Sequence, residues 1–423
     1  MWRSALIAAG LMIASPAAAD PAEQAATPIP CPAAVGEGVR CTAGRAPTGA
    51  WYVTAIPADW NRRLIVHAHG GPRLGEPRRD DELEDLERFA VMVRAGYAWT
   101  GSTYRRGGYG VRMAAEDVEI SRRIFWRDHG RPERTLLHGQ SWGGNVAAKA
   151  SELYAPAGGP YDGVLLTNGV LAGGTRAYGF RADLRAVYQF YCRNHPATRE
   201  PTYPLWQGLP PNSDLTRAEL ERRVNQCTGV NEPAERRMPE QARRLEDILA
   251  VTAVAEGQLV AHLAWSTFTF RDLAQRVGGS VFDNRRTVYR GSSDDQALNA
   301  GVERFAADRA AVVRLAHDAD LTGEIGVPTL SLHALHDPVA SHAMEADYAR
   351  TVAGAGRAAL LVQAATDEAE HSKLQERQYL VVLEALERWI ATGERPDPLE
   401  FQSLCLGGEA SRPDCRFIAP PTA

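Results

Sequence analysis

Hydrophobic positions in this chain fall into short dense runs separated by longer amphipathic ones. Trp51–Ile56 (WYVTAI), Arg63–Gly70 (RLIVHAHG) and Tyr97–Tyr104 (YAWTGSTY) are short and rich in β-branched and aromatic residues, and read as strands. Arg134–Gly139 (RTLLHG) and Tyr161–Gly169 (YDGVLLTNG) repeat the pattern. Between these runs the apolar spacing becomes helical. Leu83–Ala95 is one such segment, with acidic residues near its start. Met113–His129 is another, with Val118, Ser121, Ile124 and Phe125 on one face, and Gly144–Tyr154 is a third. Apolar strands alternating with helices predict an α/β fold: a mostly parallel sheet covered by helices on both faces.

The rhythm stops near Val170. From there to Gly323 the chain is irregular and helix-rich, with prolines at 201, 204, 210 and 211 and helical runs near Arg217–Gln226, Pro239–Leu263 and Val302–Ala316. The alternation resumes with Val327–Leu335 (VPTLSLHAL), a helix near His342–Ala353, Ala358–Ala364 (AALLVQA) and a last helix over Leu374–Ala391. Residues 51–169 and 324–392 therefore read as the core. Residues 170–323 read as a helical lid inserted between its sixth and seventh strands, since long excursions from a sheet commonly form binding elements. Residues 20–50 read as a leader, poorly ordered from Asp20 to Pro30, and residues 393–423 as a tail.

Composition narrows the class. A chain of 423 residues with 44% hydrophobic content can bury a large core, and a net charge of -5 argues against a nucleic-acid binder. Arg3, the apolar run Ala5–Ala14 and Ala17-Ala18-Ala19 resemble a signal peptide over residues 1–19; the run is too short to span a bilayer, and no later segment reads as a stable membrane span. A secreted or periplasmic location follows. Six cysteines remain after it: Cys31, Cys41, Cys192, Cys227, Cys405 and Cys415. An even number in an exported chain points to disulfides, and nothing in sequence selects one of the 15 connectivities, although proximity favours 31–41, 192–227 and 405–415.

The chemistry centres on Gly139-Gln140-Ser141-Trp142-Gly143, a G-x-S-x-G pattern between a strand and a helix. The turn is sharp, and glycines two before and two after the serine relieve crowding. A serine needs an oriented base, in the order Ser, acid, His. Asp337 and His371 lie just beyond the last two core strands and supply them; Asp367 is the alternative acid. An oxyanion hole needs two backbone donors, each worth roughly 10²–10³ in rate. The amide of Trp142 is one candidate. The glycines of His67-Ala68-His69-Gly70-Gly71-Pro72 supply the other, Gly71, with Gly70 as the register alternative.

These segments together resemble the α/β-hydrolase superfamily. HGGP with GQSWGG resembles its proline iminopeptidase-like branch, as do TYRRGGYG (Thr103–Gly110) and EHSKLQE, where Glu370 stands at a usual glycine. The resemblance covers about 51–169 and 327–390. It implies serine hydrolysis without cofactor or metal and leaves the substrate open, because the insertion selects it in such enzymes; no carboxylate of the insertion matches an amine-binding role. The favoured substrate is a small-molecule carboxylic ester, with a short peptide or amide as alternative. Two readings of another class remain. A zinc amidohydrolase would use His67 and His69, with His333, His336 and Asp337 completing the site. A binding protein on a hydrolase frame would use none of this chemistry. Oligomeric state is not legible.

Overall fold

The computed structural model describes residues 23–420; the signal peptide read at 1–19 lies outside them. The described strands are β1 (Gln24–Ile29), β2 (Arg40–Arg45), β3 (Trp51–Ile56), β4 (Arg63–Ala68), β5 (Ala98–Ser102), β6 (Arg134–Gln140), β7 (Gly163–Thr167), β8 (Thr329–Ala334), β9 (Leu361–Thr366) and β10 (Phe417–Ile418). They form one sheet in the order β1-β2-β3-β5-β4-β6-β7-β8-β9-β10. β5-β4-β6-β7-β8-β9 run parallel, and antiparallel strands close both ends. Strand β4 therefore lies between β5 and β6 at the point where chain order reverses, the place where α/β sheets open a crevice beyond their C-terminal ends.

Alternation along the strands sorts side chains onto two cores. Leu64, Val66 and Ala68 of β4 face the helices Val111–His129 and Trp142–Tyr154, through Ala115, Val118, Val146 and Ala147. Ile65 faces the other way, toward Leu86, Phe89 and the helix Glu376–Thr392. Helices thus cover both faces of a mostly parallel sheet. This is the α/β-hydrolase fold.

The segment read as a disordered leader pairs instead. Thr27, Pro28 and Ile29 lie opposite Ala43, Thr42 and Cys41. The sequence QAATPI has too few apolar residues to declare a strand; its order comes from an existing edge and from the Cys31–Cys41 disulfide. Strand β2 also went unread; with β1 it brings the described strands before the insertion to seven, five of them within 51–169. Disulfides join Cys192 to Cys227 within the insertion and Cys405 to Cys415 in the tail.

The insertion follows β7 and lies over the C-terminal edge. Its helices are Gly179–Cys192, Arg217–Thr228, Pro239–Thr252, Leu259–Val277 with a π-helical segment at Trp265–Thr269, Asp295–Gly301 and Arg309–Ala319. The predicted run Pro239–Leu263 is broken at Ala253, which is left-handed (φ 52°). The run from Val302 starts late, at Arg309, where Asp308 caps the helix through the Ala311 amide. The returning chain is tied to the core. Asp318 accepts the amides of Val111 and Arg112 at 2.9 and 3.1 Å, placing negative charge at a helix N-terminus that lacks its own side-chain cap.

Candidate active site

Ser141 sits where β6 ends and the helix Trp142–Tyr154 begins, with φ 59° and ψ -125°. Such a backbone costs a side-chain-bearing residue on the order of 1–3 kcal/mol and persists only when its surroundings hold it. Here the Ser141 amide donates to Thr167 O at 3.0 Å, and its carbonyl accepts the amides of Gly144 and Val170, both at 2.9 Å. The flanking glycines answer to specific contacts. A Cβ on Gly139 would strike the Gly143 carbonyl and Ala147; one on Gly143 would strike the carbonyls of Ala68 and His69.

Asp337 follows β8 and His371 follows β9, so parallel pairing brings both to the edge that carries Ser141. His371 Nε2 lies 2.8 Å from Ser141 Oγ, and His371 Nδ1 lies 2.7 Å from Asp337 Oδ2. Asp337 is buried. Its Oδ1 accepts the amides of Val339 and Ala340 at 2.8 and 2.9 Å. Burial pushes this carboxyl up, but His371 and the two amides outweigh it and hold it below the usual carboxylate range. The alternative acid, Asp367, turns elsewhere: it is half-exposed and pairs with His336 and Arg416, each at 3.2 Å.

Gly71 and Trp142 are the two candidate oxyanion donors. Among the described residues neither amide has an acceptor within the protein, nor does that of Gly70. Gly71 lines the open cleft with φ +69°, whereas Gly70 packs toward Gln140 and the Ser141 Cβ. The loop is held from behind. Tyr104 Oη donates to His69 O at 3.2 Å, and Gly108 N donates to Arg73 O at 2.8 Å. Arg73 reaches two buried carboxylates, Glu82 at 3.1 Å and Asp85 at 2.5 Å.

The remaining histidines are dispersed. His67 Nδ1 lies 2.9 Å from His138 Nδ1, and its ring stacks on Trp99. His69 stacks on Tyr104 and bonds Gly70 O; burial, then Arg73, pushes it down to about 4. His333 bonds Glu345 and Ala340 O, each at 2.9 Å, and His336 is exposed. The structure therefore does not gather His67, His69, His333 and His336 around one point. His69, Glu82 and Asp85 do come together at ligand spacing, but the Arg73 guanidinium already stands between the two carboxylates.

Beside Gly71 opens a cleft of about 500 Å³. One wall is the loop from Gly71 to Leu74, and another is the π-helical turn of the insertion, with Trp265 and Phe268. The charged side chains lining it are Arg73 and Arg217.

Sequence reasoning missed three side chains that contact these loops. Gln140 donates to Ser372, next to His371, and its Oε1 lies against Gly70, so one side chain spans two loops of the site. His262 and Arg181 of the insertion reach the loop of Asp337. Gln140 lay within the quoted motif; the other two carry no local signal, because a histidine or arginine in an amphipathic helix reads as ordinary surface.

No family model matches the chain, and no curated protein matches it. Solved structures do. The chain is similar to feruloyl esterase B from Aspergillus oryzae at 12% identity and a TM-score of 0.46, over 90% of this chain and 89% of that one. It is similar to another esterase from Aspergillus oryzae at 14% and 0.44, over 90% and 88%. It is also similar to Candida antarctica lipase A at 13% and 0.45, over 88% and 82%.

Proposed function

We propose that this protein is an exported serine hydrolase that cleaves carboxylic esters. The observation that carries the reading is the continuous hydrogen-bonded line from Ser141 through His371 to Asp337. His371 Nε2 takes the hydroxyl proton as Ser141 Oγ attacks the carbonyl carbon, and Asp337 stabilises the imidazolium. The amides of Trp142 and Gly71 receive the oxyanion. His371 returns the proton to the departing alcohol, leaving an acyl-serine. Water, deprotonated by the same histidine, attacks the acyl carbon, and the histidine passes that proton to Ser141 Oγ as the acyl–oxygen bond breaks and the acid leaves. The scheme uses no cofactor.

Charge in the cleft favours an ester over an N-terminal peptide bond. An aminopeptidase must bind a protonated amine, which calls for carboxylates near the reacting bond. The cleft beside Gly71, which neither Ser141 nor His371 lines, presents Arg217, unpaired among the described residues, the paired Arg73 and the aromatic faces of Trp265 and Phe268 instead. That lining suits a neutral or anionic group with apolar or aromatic character. Three disulfides support a location outside the cytosol.

Paired assays test this. Wild type should hydrolyse p-nitrophenyl esters far better than aminoacyl-p-nitroanilides. Ser141→Ala should lower turnover by about 10⁴–10⁶-fold while keeping the thermal midpoint. Near-full activity in that variant would overturn the reading, and a preference for anilides would replace the ester with an amide.

A further inference from the structure

Two lid side chains touch the loop that holds Asp337, at unusual places. The Asp337 carboxylate is held by two consecutive peptide N–H groups, those of Val339 and Ala340. The carbonyls of those same two peptide units belong to Pro338 and Val339. His262 Nε2 lies 3.1 Å from Pro338 O, and Arg181 Nη2 donates to Val339 O at 3.4 Å. Each peptide group that donates to the acid is therefore gripped at its opposite end by a residue of the insertion.

The protonation pattern follows from donor chemistry. Arginine can only donate. Arg181 Nε points at His262 Nδ1 at 3.1 Å, so that nitrogen must be the bare acceptor and Nε2 must carry the hydrogen given to Pro338. Burial, then the positive Arg181, pushes His262 down to about 4, which keeps this neutral tautomer at neutral pH. Arg181 is itself only 5% exposed, and no carboxylate pairs with it among the described residues. The rings of Phe180 and Trp265, each 4.6 Å from its guanidinium carbon, take the place of one. Trp265 also lines the cleft.

We propose that Arg181 and His262 are positioning residues for catalysis, gripping and polarising the two peptide groups that hold the Asp337 carboxylate. Hydrogen bonds in series strengthen one another, so a donor on each carbonyl makes each amide a better donor to Asp337. The loop is already fixed from the core side by His333, which bonds Ala340 O and Glu345. The lid completes the frame. The orientation of the imidazole at Ser141 then depends on the lid being seated, and the same arginine packs on a wall of the cleft.

This inference rests on the proposed roles of Ser141, His371 and Asp337, and the experiment separates the two. His262→Leu, Arg181→Met and the double variant are compared with His262→Gln, whose amide can still donate to Pro338. The double variant removes the Arg181–His262 pair together, so neither side chain is left facing a missing partner, and the two carbonyls lose only the donors under test. Steady-state kinetics on a p-nitrophenyl ester are read together with the thermal midpoint. The low-field proton resonance of the His371–Asp337 hydrogen bond is recorded in the phosphonate adduct. The expected result is a loss of kcat of about tenfold in the leucine, methionine and double variants, equivalent to one hydrogen bond of about 1.4 kcal/mol. KM should stay within about twofold, the resonance should move upfield, and His262→Gln should recover most of kcat. Unchanged kcat with an unmoved resonance, or glutamine faring no better than leucine, overturns the proposal. Asp337→Asn runs alongside. Full activity there removes the triad reading itself, whereas its inactivation with an unaltered double variant removes only the lid clamp.

Discussion

The strand edge that bears Ser141, Asp337 and His371 and the lid that covers it both hold groups in place, but by different means. At the edge the backbone holds. Ser141 is pinned through its own amide and carbonyl, Asp337 accepts two amides, and the glycines at 139 and 143 are required by neighbouring carbonyls. In the lid, side chains hold irregular backbone. Arg304 donates to the carbonyls of Asn284 and Thr287, each at 2.7 Å, and Asn284 donates to Glu303 O and accepts from Phe305 N. Arg185, fully buried, donates to His195 O and Tyr203 Oη. A geometry set by backbone tolerates many neighbouring side chains. One set by particular long side chains can be rebuilt by changing them. The edge is thus specified chiefly by backbone and the insertion chiefly by side chains.

The largest expected effect falls at the edge. Asp337→Asn should lower kcat by roughly 10⁴-fold, because asparagine cannot hold His371 in the tautomer that accepts from Ser141. Asp367→Asn, four residues before His371, should stay within about twofold of wild type. Rate measurements on both variants with one ester decide it. Equal losses would mean that the acid is shared and that the edge is less fixed than its geometry implies.

Next comes the lid's covalent staple. Cys192–Cys227 closes 35 residues, against 10 each for Cys31–Cys41 and Cys405–Cys415. Chain-entropy reasoning assigns about 4 kcal/mol to the longer loop and about 3 kcal/mol to each shorter one. The Cys192→Ser/Cys227→Ser pair should therefore lower the urea midpoint more than Cys31→Ser/Cys41→Ser, and it alone should lower activity on esters. Loss of activity from the N-terminal pair as well would show that the edge strands also bear on the site.

This contrast explains what could be read in advance. Strands β4, β6, β7, β8 and β9 are buried on both faces, and burial writes itself into sequence as continuous apolar runs. Ser141, Asp337 and His371 follow three of those strands, so finding the strands located the side chains that meet. Strands β1 and β2 form one end of the sheet and the two-residue β10 the other, and QAATPI or RCTAGR alone gives no period to detect. The break at Ala253 was hidden for a related reason: alanine favours helix, and only tertiary packing puts it at φ 52°. Arg181 and His262 were invisible because their partners, Pro338 O and Val339 O, are backbone atoms more than seventy residues away.

The smallest effect concerns charge at the cleft. Arg73 is engaged by Glu82 and Asp85, so its field is largely spent inside the protein. Arg217, at the start of the helix Arg217–Thr228, is exposed and lines the same cleft. Arg217→Glu should fold well, since a carboxylate suits a helix N-terminus. It should shift the ratio of kcat/KM between a cationic and an anionic acyl ester of matched shape by about fivefold, toward the cationic one, because a charge reversal several ångströms from the bound group acts through mostly aqueous dielectric. Raising salt to about 0.5 M should erase most of the shift. A ratio that does not move would mean that the charged end of the acyl group lies away from this helix, and Trp265 and Phe268 alone would then shape the choice of substrate.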